Sequence, residues 1–164
     1  MELWDLYDNQ RNLVGHSQVR GEVIPAGCYH LVVHVWIRNR NGEFLISQRS
    51  KNRQLNPLLW ECVGGSVLMG ENSLEGALRE VLEEVGVDLS QSSGRLLSSR
   101  LRENYYDILD TWLFEYDGPV SLKNATTDEV LQVKWMSASQ IHKLFESGQM
   151  VDTLKYFFDE VCMF

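Results

Sequence analysis

The stretch Gly65-Ser66-Val67-Leu68-Met69-Gly70-Glu71-Asn72-Ser73-Leu74-Glu75-Gly76-Ala77-Leu78-Arg79-Glu80-Val81-Leu82-Glu83-Glu84-Val85-Gly86-Val87 contains one helix with both of its ends written into the residues. Asn72, with Glu75 three positions later, forms a capping pair, and Gly86 stands where a left-handed C-cap is expected. The spacing predicts a helix over Ser73–Val85, with Leu74, Leu78, Val81 and Val85 as its buried stripe. Glu80, Glu83 and Glu84 stand at i, i+3 and i+4 and share one face. Like charges so placed cost an isolated helix roughly 0.2–0.5 kcal/mol per pair. They make chemical sense around a divalent cation, and an all-oxygen ligand set favours Mg²⁺ or Mn²⁺ over zinc. Glu71 lies just ahead of the helix and can fold back toward it. Taken alone, the helix favours a plainer reading, a solvated face laced by the Glu75–Arg79 and Arg79–Glu83 pairs.

Ahead of this stretch, Leu31 to Arg38 reads as a strand, with Leu31, Val33, Val35 and Ile37 on one face and Val32, His34, Trp36 and Arg38 on the other. Asn41-Gly42 is a hairpin signal, so Glu43 to Gln48 is expected to return as the partner strand. A polar loop, Ser50 to Pro57, precedes an apolar segment from Leu59 to Val63, which Gly64-Gly65 should stop. Further strands are expected at Leu3–Tyr7, Arg95–Leu101, Tyr105–Tyr116 and Val130–Met136. Ser137 with Gln140 opens a helix to about Phe145, and Asp152 starts a last amphipathic helix carrying Leu154, Phe157, Phe158 and Val161. Strands interspersed with two or three helices, without linker or repeat, predict one α/β layered domain over residues 1–164.

The 164 residues carry 15 Lys+Arg against 23 Asp+Glu, a net charge of −8, which argues against a polymeric nucleic acid as partner. A small anion remains an acceptable ligand where a cation or a basic patch offsets repulsion. Five of the 15 basic residues, Arg38, Arg40, Arg49, Lys51 and Arg53, fall within one short run and form such a patch, or else a protected hairpin edge. Cys28, Cys62 and Cys162 match no zinc spacing, and reduced thiols fit a cytoplasmic setting. The start of the chain resembles no signal peptide, and no window is apolar enough to span a membrane. Trp4, Trp36, Trp60, Tyr105, Tyr106 and Trp112 are mostly core candidates, although one ring could stack on a base. His30 and His34 share the face of Trp36 and either line a cleft or pack as structural histidines.

The spacing Gly65, five residues, Glu71, seven residues, then Arg79-Glu80-Val81-Leu82-Glu83-Glu84-Val85-Gly86-Val87 resembles the Nudix hydrolase signature at all nine specified positions. The resemblance implies the Nudix fold, an α/β/α sandwich with a mixed β-sheet. It also implies hydrolysis of a diphosphate linkage in a small phosphorylated metabolite, with a nucleoside diphosphate derivative as default and Mg²⁺ or Mn²⁺ as cofactor. Glu80, Glu83 and Glu84 would bind metal, with the Gly65 carbonyl and Glu129 as further ligands. Arg79 would hold the carboxylates in place. The general base is either Glu80 or a loop carboxylate, for which Glu129 is the candidate. Arg49, Lys51 and Glu71 are expected on the substrate side, with Glu71 also bracing the loop, in a pairing with Arg79. The segment Tyr29 to Trp36 also resembles the isopentenyl diphosphate isomerase branch, but Gly64 and Ser66 replace that branch's cysteine and loop histidine. A non-catalytic, nucleotide-sensing domain is the remaining alternative. The sequence does not decide between monomer and homodimer.

Overall fold

The computed structural model describes residues 2–164. Its strands are β1 (Leu3–Tyr7), β2 (Leu13–Val19), β3 (His30–Arg38), β4 (Phe44–Arg49), β5 (Trp60–Glu61), β6 (Val63–Ser66), β7 (Gly94–Arg102), β8 (Asp107–Glu115) and β9 (Val130–Met136). The helices are α1 (Ser73–Val85), α2 (Ala138–Glu146) and the short α3 (Phe157–Glu160). At the centre of a seven-stranded mixed sheet lies β3, parallel to β8 along its whole length. The β8 strand pairs in turn with β7, while the Val32–Val35 side of β3 takes β6 antiparallel. Each face of the sheet has its own apolar layer, because β3 alternates as its sequence demands. Leu31, Val33, Val35 and Ile37 pack with Val81 and Val85 of α1. Trp36 packs on the other side with Ile141 of α2, Leu154 and Phe157. The α/β/α layering follows from that alternation.

Helix α1 has the expected ends. The Asn72 side chain accepts from the Glu75 amide at 3.0 Å, and the Glu75 carboxylate accepts from the Asn72 amide at 2.8 Å. Gly86 sits at φ 68°, and a Cβ there would come within 2.7 Å of Asn124, so both the backbone and the neighbouring turn require glycine.

Several expectations are corrected. The Asn41-Gly42 turn forms, but β3 and β4 pair only at Arg38 and Phe44, because β4 peels away to pair with β9 and β5 while β6 takes its place along β3. Gly64-Gly65 does not end a strand. It lies inside β6, where a Cβ on Gly64 would stand 2.4 Å from the Val33 carbonyl oxygen. The buried stripe of α1 is rotated: Leu74 is 39% exposed, and Ala77, Val81, Glu84 and Val85 face inward. The cause is close packing of Gly76 against Val67, which draws that side of the helix onto the loop after β6. The last amphipathic helix is instead a 3-10 turn at Asp152–Leu154 followed by the four residues of α3. Tyr156 and Phe157 both pack on Trp36, the first edge-on and the second tilted.

The β2 strand is absent from the sequence reading. With β1 it forms a separate two-stranded sheet. This hairpin is fastened to the body at several points, including the Met69 and Gly70 amides, which donate to the Leu3 carbonyl and the Asp5 carboxylate at 2.8 Å. Backbone bonds join Tyr7 and Tyr29 (2.8 and 2.9 Å), Trp4 stacks on His30 with ring centroids 4.1 Å apart, and Arg11 forms two 2.6 Å bonds with buried Asp110.

Candidate active site

Helix α1 lays Arg79, Glu80, Glu83 and Glu84 against the Gly64–Gly65 segment of β6, around a cavity of about 80 Å³. The approach is close. A Cβ on Gly65 would stand 2.4 Å from a Glu80 carboxylate oxygen, so glycine lets that carboxylate rest on the strand backbone. Arg79 organises the group. Its Nε donates to Glu71 Oε1 at 2.8 Å, and its Nη2 donates to Glu71 Oε2 at 3.0 Å and to the Ser66 carbonyl at 2.9 Å. Its Nη1 donates to Glu80 at 2.9 Å and to Glu83 at 3.0 Å. Glu71 Oε2 also accepts from the Leu68 amide at 3.0 Å, which closes the loop between β6 and α1.

These contacts set the charges. Burial alone would raise the Glu71 carboxyl, but Arg79 and the Leu68 amide outweigh it and hold the group below its ordinary value. For Glu80 burial prevails over Arg79, with Glu83 and Glu129 adding to it, and the carboxyl is raised. Glu84 is raised well above the carboxylate range, chiefly by burial and then by Glu61, Glu80 and Glu129. It is 4% exposed, and its Oε2 has no hydrogen-bond partner. Burial also works against the charge of Arg79, yet Glu71 and Glu80 keep its guanidinium above its ordinary value.

Glu129 comes from the loop before β9. The Ser50 amide donates to its carbonyl at 2.8 Å, and its carboxylate pairs with Arg53 at the wall it shares with Glu80, Glu83 and Glu84. The same loop is fixed to the end of α1 by the Thr126 amide, 2.9 Å from the Glu83 carbonyl oxygen. The structure thus brings Gly65, Arg79, Glu80, Glu83, Glu84 and Glu129 together. Among the described residues, however, no three acidic, histidine or cysteine side chains already converge as an ion-binding group. Arg79 holds Glu80 and Glu83, and Arg53 holds Glu129.

The three residues expected on the substrate side fare differently. Glu71 is committed to Arg79 and the Leu68 amide and serves as a brace. Lys51 is exposed and lies outside the cavities beside the carboxylates, because the Ser50–Glu129 and Arg53–Ser50 backbone bonds fold the loop so that Asn52 and Arg53 face the cavity. Arg49 does line the cavities on both sides, but its Nη1 is tied to Glu61 at 2.7 and 2.9 Å and its Nε to the Leu55 carbonyl at 3.0 Å. Glu61 was not among the sequence candidates. Burial raises its carboxyl despite Arg49.

On the other side of Gly64–Gly65 lies a cavity of about 220 Å³, with Val32, Cys62, Val151 and Leu154 in its wall. His34 lines it, with Nδ1 held 2.7 Å from the Tyr156 hydroxyl. Trp36 and Trp60 are core, and Tyr105 and Tyr106 are exposed elsewhere, so none of these rings reaches either cavity. His30 is stacked on Trp4 and lines neither cavity, so it brings the isomerase resemblance of Tyr29 to Trp36 no residue at the site.

The family model described as NUDIX domain matches residues 29–157. The chain belongs to the Nudix family. It is 36% identical over 159 residues to an uncharacterized Nudix hydrolase of Listeria innocua, covering 96% of this chain and 91% of that one. A crystal structure of a Deinococcus radiodurans protein superposes with a TM-score of 0.75 at 24% identity, covering 92% of each chain. The NUDIX domain of Shewanella oneidensis NrtR, crystallised with ADP-ribose, superposes with a TM-score of 0.57 at 16% identity over 76% of this chain and 82% of that one. These likenesses establish the mixed α/β Nudix fold, and with the family match they make the protein a Nudix hydrolase, a class acting on pyrophosphate bonds. No helix among the described residues is long and apolar enough to cross a membrane.

Proposed function

We propose that this Nudix hydrolase cleaves the diphosphate linkage of a small nucleoside diphosphate derivative with the aid of Mg²⁺ or Mn²⁺. The observation that carries the reading is Glu84. A buried carboxylate with an unpartnered oxygen, under the further repulsion of Glu61, Glu80 and Glu129, is costly to keep unless a cation offsets it. Arg79 reaches Glu80 and Glu83 but makes no bond to Glu84. The donor set of Glu80, Glu83, Glu84, Glu129 and the Gly65 carbonyl is all hard oxygen, which fits Mg²⁺ or Mn²⁺. An ion held there would neutralise diphosphate oxygens and lower the pKa of a water.

The chain supplies the rest. Arg79 keeps Glu80 and Glu83 on the cavity side of α1, and Glu71 keeps Arg79 in place. The oxygen of the attacking water bonds to phosphorus as the bridging P–O bond breaks, and the departing phosphate carries off the bond's electron pair. A carboxylate takes the water's proton, a role that contributes about 10²–10⁴-fold. Glu80 suits it because burial makes its carboxyl more basic than usual, and Glu129 is the alternative acceptor. The net charge of −8 favours a small substrate over a polymeric nucleic acid. Three free cysteines support a reducing, cytoplasmic setting.

The test is a panel of nucleoside di- and triphosphates, nucleotide sugars, coenzymes and prenyl diphosphates, scored for phosphorus-containing products with Mg²⁺, Mn²⁺ or EDTA. Metal-dependent release that falls at least about 100-fold in Glu83→Gln and Glu84→Gln is expected. Undiminished turnover in those variants would remove the helix from the mechanism.

A further inference from the structure

Three arginines from two parts of the chain meet in one cavity of about 360 Å³: Arg20 just after β2, and Arg49 at the end of β4 with Arg53 in the following loop. This cavity shares Arg20, Arg53 and Glu129 with the smaller cavity of the carboxylates. Its remaining wall is Ser50, Asn52, Gln54, Leu55 and a second acid, Asp128, so three guanidinium groups face two carboxylates. The cavity across Gly64–Gly65 is mixed: Val32, Cys62, Val151 and Leu154 give it an apolar side, beside Arg49 and Glu61, which are tied to each other. A diphosphate lying over Gly64–Gly65 would therefore have guanidinium groups at one end and a surface suited to an organic group at the other.

Each arginine already has a carboxylate: Arg20 pairs with Glu2, Arg49 with Glu61 and Arg53 with Glu129. Among these partners only Glu129 belongs to the set expected to take a cation. Arg53 and that cation compete for one carboxylate, and Arg53 is the arginine that metal loading would release. Arg20 adds a second donor from the other side of the cavity, with Nη1 on Glu2 at 2.6 Å and its other nitrogens outside that bond.

We propose that the arginine cavity binds the unsubstituted terminal phosphoryl group of the substrate, and that Arg53 passes from Glu129 to that group when a divalent cation takes Glu129. This rests on the diphosphatase reading and narrows it to substrates ending in a free phosphoryl group, with nucleoside 5′-diphosphates ahead of nucleotide sugars. Guanidinium is the side chain suited to such a group, since its fork of N–H donors matches phosphate oxygens.

Three measurements on the full chain test it. In calorimetry with Mn²⁺ alone, Arg53→Ala should bind the ion about two- to fivefold more tightly than wild type, the gain from losing a partly exposed competing ion pair. Glu129→Gln should bind it more weakly. Equal or weaker binding in Arg53→Ala overturns the handover. Methylenebisphosphonate, which cannot be hydrolysed, should bind the Mn²⁺-loaded protein, and Arg53→Ala and Arg20→Ala should each weaken it roughly tenfold, with Arg53→Lys recovering part of the loss. Unchanged bisphosphonate binding in both alanine variants overturns the assignment of the cavity. In steady state the same variants should raise KM for a nucleoside 5′-diphosphate while leaving KM for the matching nucleotide sugar nearly unchanged. Equal losses on both substrates overturn the narrowing to free phosphoryl ends. If wild type hydrolyses no diphosphate yet bisphosphonate binding still requires Arg53, the diphosphatase reading falls and the phosphoryl site stands.

Discussion

Glu84 sets chemistry against stability. Its buried Oε2 lacks a partner, and its folded-state carboxyl is raised by burial. The charge therefore costs the metal-free fold stability as pH rises through that elevated value. Glu84→Gln should raise the melting temperature in EDTA at pH 7.5 by about 2–4 °C, for a gain near 1 kcal/mol, while abolishing turnover. A drop in melting temperature would mean that the carboxylate is satisfied by something other than a cation. Gly65→Ala works on a different carboxylate of the same helix, since its methyl would stand 2.4 Å from Glu80. At least a tenfold fall in kcat is expected, with the circular dichroism spectrum unchanged. The acids of α1 are legible in the sequence because one helix carries them all. Glu61 is not, because only strand pairing brings it to Arg49, and Arg53 shows in the sequence only as one of a basic run, because loop folding is what sets it against Glu129.

At the scale of elements, legibility follows how local the cause is. The limits of α1 are written in Asn72, Glu75 and Gly86, and the structure reproduces Ser73–Val85. Asn72→Ala should cost about 1 kcal/mol and lower the melting temperature by about 2–4 °C, with denaturant unfolding as the check. The β2 strand escapes notice because Leu13–Val19 is mostly exposed and has no alternating apolar face. The β6 strand escapes because two glycines look like a stop, although they are what allow β6 to approach both β3 and Glu80. The partner of β4 could not be read from the Asn-Gly turn either. A turn fixes where the chain reverses, whereas the pairing beyond it depends on β6 and β9, both distant in sequence. The broken C-terminal helix belongs with these, since the inward packing of Tyr156 depends on His34 and Trp36 far upstream.

The whole molecule should answer to acid through its histidines. Burial lowers His30 to about 4, with Arg102 and Arg20 adding to the effect and Asp107 opposing it. The unfolded chain binds that proton near pH 6.5 and the folded chain only near 4, so the stability due to His30 is full above pH 6.5 and lost as pH falls toward 4. Unfolding free energy should decline by about 2–3 kcal/mol from this residue between pH 7 and 4.5, and His30→Gln should flatten that slope. His34, lowered to about 3 by burial, leaves a residual slope in the variant. A denaturant series at the two pH values decides it.

His30 takes its stacking partner from the β1–β2 hairpin, which lies ahead of residues 29–157 and so outside the part that matches the family model. Through Glu2 and Arg20 that hairpin also borders the carboxylate cavity. The carboxylates of α1 and part of the rim of their cavity thus sit on different stretches of chain, one inside the family match and one ahead of it. Substitutions at Glu2 or Arg20 would reshape that rim without altering any residue of α1.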